Sequence, residues 1–455
     1  MTAIHKFFSG SGAARLSKAL YIALLLCLTA AFIHPDLMET ANHSYLLLDS
    51  VFSGRFFEFY NDIGVHANDL YYLNSANYHI MVYIVFALWE LPMWLLNRVF
   101  SLPVDEPALW LWLNLLGVGL LFACAQRMGK LALHLEGEVE YSKVFWLFLL
   151  SPVPFLLTAF GFYDLPAVFL MLAALCRYAK GDIKGFSLLM GVSALFKAFA
   201  LLLFVPLLLL ARKRVLREWL PLGALAAAPY ALTSLPFLGR SGNIGDFMDT
   251  MLLRLFDFSV GYLPLLPALL AALSVWCWLR PAPRTPGDRL RAAASCGLAV
   301  FGGLLLFVPW HPQWAVLVFP FYTLAAVSQR NRRLYELLSP VLSGCILLHA
   351  FAAFPRHLES NLLVWGALRL TGRGEFFNGQ PPLISFMERL LPGATLSSAF
   401  AAVLLCVIVF HFDAGNGPLA DRSVPEAQPV SLRRAALGFC LVIAFYLACL
   451  TLSFL

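Results

Sequence analysis

"KGFSLLMGVSALFKAFALLLFVPLLLLA", residues 184–211, holds a single charged side chain after Lys184, namely Lys197, and a single proline, Pro206. A hydrocarbon layer of roughly 30 Å is crossed by about 20 helical residues, so this run is too long for one crossing and is read as a hairpin of two short helices with Lys197 at its apex. The opposite choice applies to residues 78–99, "YHIMVYIVFALWELPMWLLNRV". Its Glu90, Pro92 and many aromatic side chains suit an interfacial or re-entrant helix better than a span facing lipid.

These two choices organise the whole chain. Of its 455 residues, 60% are hydrophobic and only 13% charged, with a mean hydropathy of +0.77. That usage lies far outside soluble globular domains and marks an integral membrane protein. Single crossings are read at 19–34, 107–125, 144–161, 165–179, 217–236, 261–279, 292–309, 314–328, 335–354, 396–412 and 435–455. With the hairpin crossing twice and 78–99 held outside, the basic clusters all fall on the N-terminal side. They are Lys6/Arg15/Lys18, Arg127/Lys130/Lys143, Arg177/Lys180/Lys184, Arg212/Lys213/Arg214/Arg217, Arg280/Arg284/Arg289/Arg291, Arg330/Arg332/Arg333 and Arg422/Arg433/Arg434. By the positive-inside rule that side is cytoplasmic.

The expectation is therefore an all-α polytopic bundle of about thirteen spans, one domain over 1–455, in a plasma or inner membrane. Its outer loops are 35–106, 162–164, 237–260, 310–313 and 355–395. Residues 1–30 resemble a secretory signal but are read as a retained first helix. The net charge of +6 would suggest nucleic acid in a soluble protein; here it carries orientation, and no nucleic-acid partner is expected. All nine cysteines lie in or beside apolar spans without a C-x-x-C pair, as packing residues do. No repeat, Walker loop, G-x-G-x-x-G, H-E-x-x-H or G-x-S-x-G context is present.

Most of the 26 acids partition to the outer side, which points to chemistry there. Asp36 follows Pro35 where the first span ends, in "HPD", and partial desolvation there suits a general base. Thr40 and His43 come one and nearly two turns later and can share its face. Asp164 stands in "AFGFYDLPAV" beside Tyr163 with almost no loop around it. It can cap the next helix or face a cavity, since facing lipid costs about 2.5–3.5 kcal/mol at mid-membrane. Lys197 at the hairpin apex either snorkels or meets a lipid phosphate. "FVPWHPQWAVLVFPFY", 307–322, brings His311 and Gln313 to the outer surface between Trp310 and Trp314, which read as interfacial anchors. Lone His311 lacks a partner at metal spacing, so no metal is expected. Arg240, Arg254, Arg356, Arg369, Arg373 and Arg389 sit outside against the orientation rule, as anion-binding cations do.

This layout resembles the polytopic glycosyltransferases of the GT-C superfamily, which include polyprenyl-phosphate-sugar-dependent mannosyl-, glucosyl- and aminoarabinosyl-transferases. One span followed by a long helical outer loop with an acid at its start is matched by "HPDLMETANHSYLLLDSVFSGRFFEFYN", and the aromatic juxtamembrane segment by "NYHIMVYIVFALWELP". "GFYDLPAVFLMLAAL" looks like the family's G-x-x-D, and "GVSALFKAFALLLFVPLLLL" like its Lys-containing helix pair. The resemblance implies sugar transfer from a polyprenyl phosphate to an extracytoplasmic lipid, glycan or protein acceptor, without a cofactor. Asp36 would be the general base, Asp164 the second acid, and Lys197 or an outer arginine the phosphate's cation. Binding residues would be drawn from Thr40, His43, Tyr163, Arg254, His311 and Gln313. Two features depart from the family: Asp36 has no adjacent acid, and a helix that often opens with Arg carries "HPQW". A transporter or flippase of lipid-linked sugars and a non-catalytic membrane subunit are the alternative readings.

Overall fold

The structure is a computed structural model describing residues 12–66, 76, 78–135, 140–212, 215–238, 253–354, 361–371, 392–412, 419–424 and 426–452. Helix α1, Gly12–Ala31, is Ala- and Leu-rich and is tied into the bundle where the Tyr21 hydroxyl donates to the Leu149 carbonyl at 2.8 Å. The chain then turns by 77° into α2, Pro35–Phe52. Pro35 starts α2 because its missing N–H belongs to a helix end that has no use for one. The His34 ring caps the same end, its Nδ1 accepting from the Asp36 backbone N–H at 3.2 Å. A short helix α3, Phe59–His66, follows.

Helix α4, Ile80–Arg98, is continuous through Pro92. It is long and apolar enough to cross a membrane, so 78–99 has the length of a span as well as the interfacial composition expected of it. It lies along α2, with the Trp94 indole donating to Asp49 at 2.9 Å and the Tyr45 hydroxyl donating to Asn97 at 2.9 Å. Within it Glu90 is fully buried, and neither carboxyl oxygen has a hydrogen-bond partner among the described residues.

Helix α5 runs from Glu106 to Ala132, 27 residues, about 40 Å by helical rise, so Arg127 and Lys130 belong to its far end and not to a loop. Buried Asn114 joins three segments, its amide donating to the Thr29 carbonyl at 3.2 Å and the Ala159 carbonyl at 3.3 Å. The expected crossing at 144–161 is broken into α6, Tyr141–Leu149, and α7, Pro152–Ala159, bent by 57°. Pro152 and Pro154 account for the break, since neither can donate to the preceding turn.

Then follow α8, Leu165–Ala179, α9, Ile183–Ala194, and α10, Ala200–Ala211. The last two form the expected hairpin, turning over residues 195–199 with Lys197 in the turn. Helix α11, Leu220–Ser234, packs on α9. After a two-residue antiparallel ladder, Ser259–Val260 against Leu263–Pro264, come α12, Leu265–Leu279, and α13, Pro286–Phe307, opened by a reciprocal Thr285/Asp288 cap. A 3-10 turn, Pro312–Leu317, leads into α14, Phe319–Ser328. Helix α15, Arg332–Ala353, the short α16, Asn361–Trp365, and α17, Ala367–Leu370, then α18, Gly393–His411, and α19, Leu432–Leu452, complete the all-α bundle.

Among the described residues, seven helices are long and apolar enough to span a membrane, or up to nine if each bent pair is one span. The sequence expectation of thirteen is larger because α8, α9, α10, α12 and the 312–328 segment are shorter apolar helices of 10–17 residues. The connections 32–34, 160–164, 195–199 and 308–313 gather at one end of the bundle. The His34 backbone N–H donating to the Phe160 carbonyl at 2.8 Å fixes part of that end. At the other end, Arg289 donates to the Ala179 carbonyl at 3.0 Å and Gln329 to the His411 carbonyl at 3.1 Å.

The apex that carries Lys197 is held by close approach of α9 to α11. A Cβ on Gly191 would collide with the Ala226 backbone carbonyl, whereas one on Gly119 would meet nothing within 4 Å. We expect Gly191→Val to lower stability by about 1–3 kcal/mol, measured as a fall in thermal midpoint in detergent. Gly119→Ala, in an uncrowded stretch of helix, is expected to leave the midpoint unchanged or raise it.

Candidate functional site

Two carboxylates separated by 128 positions in sequence meet at the gathered end. Asp164 begins α8, but its side chain makes no capping bond. It turns instead to Lys197, whose Nζ lies 3.2 Å from Asp164 Oδ1. Relative exposures of 6% for Lys197 and 2% for Asp164 correct both simpler sequence readings: the lysine does not snorkel to water and the acid does not cap its helix. An ion removed from water this completely persists only beside an opposite charge. The ammonium also lies 5.3 Å from the Tyr78 ring centre and 5.9 Å from that of Tyr163, so the rings form its remaining wall.

The turn delivering Asp164 depends on Gly161. Its φ of +87° is open to glycine and costly for other residues. A Cβ there would also stand 2.7 Å from Leu37 Cδ2 and 3.3 Å from Asn114 Oδ1. Tight packing of the GFYD turn against α2 and α5 thereby brings Asp164 toward Asp36.

Asp36 differs from Asp164 in exposure and in partners. A third of its side chain, 33%, is exposed. Its Oδ2 accepts from Gln313 Nε2 at 3.3 Å, and its Oδ1 lies 3.6 Å from His34 Nδ1. Lys197 and His311 also act on it electrostatically, and Lys197 acts likewise on Asp164. One buried cation thus faces two carboxylates, one of them in direct contact.

His311 opens the 3-10 turn that carries Gln313, and its Nε2 accepts from Arg254 Nη1 at 3.2 Å. Accepting there leaves the proton of a neutral ring on Nδ1. Trp310 and Trp314, read from sequence as interfacial anchors, are 3% and 1% exposed. They are packing residues: Trp314 meets Phe199 of the hairpin turn at 4.4 Å and Trp310 stacks on His349 at 5.1 Å. The HPQW segment is therefore clamped, so that Gln313 is presented to Asp36 from a fixed backbone.

The remaining expected residues divide. Tyr163 lines the Lys197 pocket. Thr40 is near Asp36, but its hydroxyl donates to the Asp36 carbonyl at 2.7 Å, bracing α2. His43 is buried against Tyr83, ring centres 5.5 Å apart, in the α2–α4 interface. Of the arginines assigned from sequence to outer loops, Arg254 reaches this site and Arg369 packs over Trp110 and Trp365. Arg240, Arg356, Arg373 and Arg389 lie outside the described residues.

Sequence reasoning overlooked His34 and Tyr78. His34 could have been found from its place before Pro35, where a ring can cap the helix and touch Asp36 at once. Tyr78 offered no signal beyond its aromatic surroundings. The site's members thus come from α2, the Gly161 turn, the hairpin apex, the Arg254 turn and the HPQW segment. Comparison with protein-family models, with curated proteins and with solved structures finds no match.

The Lys197–Asp164 pair gives a direct test. Lys197→Met or Asp164→Leu leaves one buried charge unmatched and is expected to cost about 3–5 kcal/mol, whereas Lys197→Met with Asp164→Leu together costs much less. Thermal midpoints of the four proteins, taken as a double-mutant cycle, measure the difference. A double variant destabilised by the sum of the two single losses would mean that the two charges do not depend on each other.

Proposed function

We propose that this chain is a GT-C-type membrane glycosyltransferase that moves a hexose or pentose from a polyprenyl phosphate to a lipid, glycan or protein acceptor, with Asp36 as general base. The observation that carries the proposal is the unequal state of the two carboxylates. Asp164 is buried against Lys197, while Asp36 is one-third exposed and held by Gln313 beside His34. A base must reach the proton it removes, and only Asp36 has that access.

In this reading the acceptor hydroxyl loses its proton to Asp36 as its oxygen bonds to the anomeric carbon. The bond from that carbon to the phosphate oxygen breaks, and the polyprenyl phosphate departs carrying the electron pair. Charge gathering on the phosphate requires preorganised donors. Arg254, fixed by His311, has guanidinium N–H groups for it, and Lys197 contributes positive potential from within. The donor is a lipid, which favours a site at the end of a helical bundle that lipid can approach from the side. Extracytoplasmic orientation rests on the positive-inside rule and on described basic residues such as Arg127, Lys130 and Arg289 lying toward the other end.

Asp36→Asn is expected to reduce sugar transfer from synthetic polyprenyl-phosphate sugars by about 10²–10⁴-fold, with binding of the donor lipid retained. Purified protein in nanodiscs, assayed for release of polyprenyl phosphate and for the glycosylated acceptor, provides the measurement. Full activity of Asp36→Asn would remove this residue as the base. Inactivity of the wild-type chain across mannosyl, glucosyl and pentosyl donors would count against the reaction itself.

A further inference from the structure

A second polar cleft lies farther along α2. Bounded by α2, the end of α4 and the start of α5, it encloses about 180 Å³. Its wall includes Asn42, Asp49, Asn97, Arg98, Asp105 and Glu106. Asn42 is six residues beyond Asp36, about 9 Å of helical rise. We propose that this cleft binds a neutral or amino sugar ring of the acceptor, an inference that rests on the glycosyl-transfer reading above.

The chemistry of the wall selects the ligand. Sugar hydroxyls both donate and accept, so they are matched by a surface that mixes acceptor-only, donor-only and two-way groups. Here Asp49, Asp105 and Glu106 accept, Arg98 donates, and Asn42 and Asn97 do both. An apolar chain in the cleft would cover the charges of Asp105, Glu106 and Arg98 without replacing their water. Asp49 is matched by Arg98, whose Nη2 stands 2.6 Å from Oδ2 and Nε 3.1 Å from Oδ1, and Glu106 is partly offset by the charge of Arg369. Asp105 remains in excess, so a ring bearing a carboxylate is disfavoured relative to one bearing a hydroxyl or an ammonium.

The walls are also built before a ligand arrives. The Trp110 indole donates to Asn42 Oδ1 at 3.1 Å, the Trp94 indole to Asp49, and the Asp105 side chain accepts from the Ala108 N–H at 3.0 Å. Arg98 lies 5.8 Å from the centre of the Tyr45 ring. Because these groups project from helices, the cost of ordering them on binding is small.

Saturation-transfer NMR on the full chain in nanodiscs, with methyl glucoside, glucosamine and glucuronate as separate probes, tests this. We expect transfer to methyl glucoside and glucosamine, and at least threefold less to glucuronate. Asp105→Asn with Glu106→Gln keeps the volume and the helix cap, and should bring glucuronate to within twofold of methyl glucoside. Leu46 also lines the cleft, so Leu46→Trp fills it and should abolish transfer to all three probes, while Asp36→Asn should leave the wild-type pattern. Equal transfer to all probes in the wild type, persistence in Leu46→Trp, or loss in Asp36→Asn would each overturn the cleft assignment. An intact binding pattern in a chain that transfers no sugar would overturn the reaction and leave the cleft standing.

Discussion

The buried contact between Lys197 and Asp164 constrains this end of the molecule more than any other. A charge pair at 6% and 2% exposure is not a source of stability in itself, because desolvating two ions costs as much as their attraction returns. Its effect is to fix geometry. With Lys197 in place, the α9–α10 hairpin apex must stay beside the Gly161 turn, and the left-handed backbone at Gly161 must bring that turn against Leu37 of α2. Asp36, one residue before Leu37, is thereby held near the same cation. Positions distant in the chain are brought to one place by a requirement that neither ion be left alone.

Much of the architecture was legible from hydropathy alone, since a crossing is recorded locally in composition. The hairpin at 184–211 was readable because 28 largely apolar residues exceed one span and Lys197, alone after Lys184, marks the turn. The 57° break between α6 and α7 was less readable, although Pro152 and Pro154 were visible, because a proline within a membrane helix is tolerated when neighbouring groups satisfy the freed carbonyls. Length was the weakest quantity: several expected spans are helices of 10–17 residues, and an apolar run does not disclose whether it is helical throughout.

Individual site residues were legible where a polar group sat in an apolar setting. Asp36, Asp164, Lys197 and Gln313 were found that way, as each would be expensive facing lipid. Their partnerships were not, because pairing depends on which loops share an end of the bundle and at what depth. His43 shows the limit of the helical-face argument: spacing puts it on the Asp36 side of an isolated helix, but packing against α4 turns that stripe into an interface with Tyr83. Trp310 and Trp314 erred the same way, since composition gives no means of telling an interfacial tryptophan from a buried one.

The HPQW segment carries the functional argument one step further. The resemblance leads one to expect an arginine there, and the segment has none, which from sequence alone weakens any phosphate site. In three dimensions Arg254, from a different connection, stands 3.2 Å from His311. A guanidinium needs only position, not a particular place in the chain, to meet a phosphate. On the proposed reading the division of labour then becomes consistent: His311 orients the arginine, Gln313 orients the base, and these positions, two residues apart, hold the groups for the departing phosphate and for the incoming hydroxyl in register. A single short clamped segment setting both would make the spacing between base and phosphate cation insensitive to movements elsewhere in the bundle, which is what an in-line displacement between two lipid-bound or bulky partners requires.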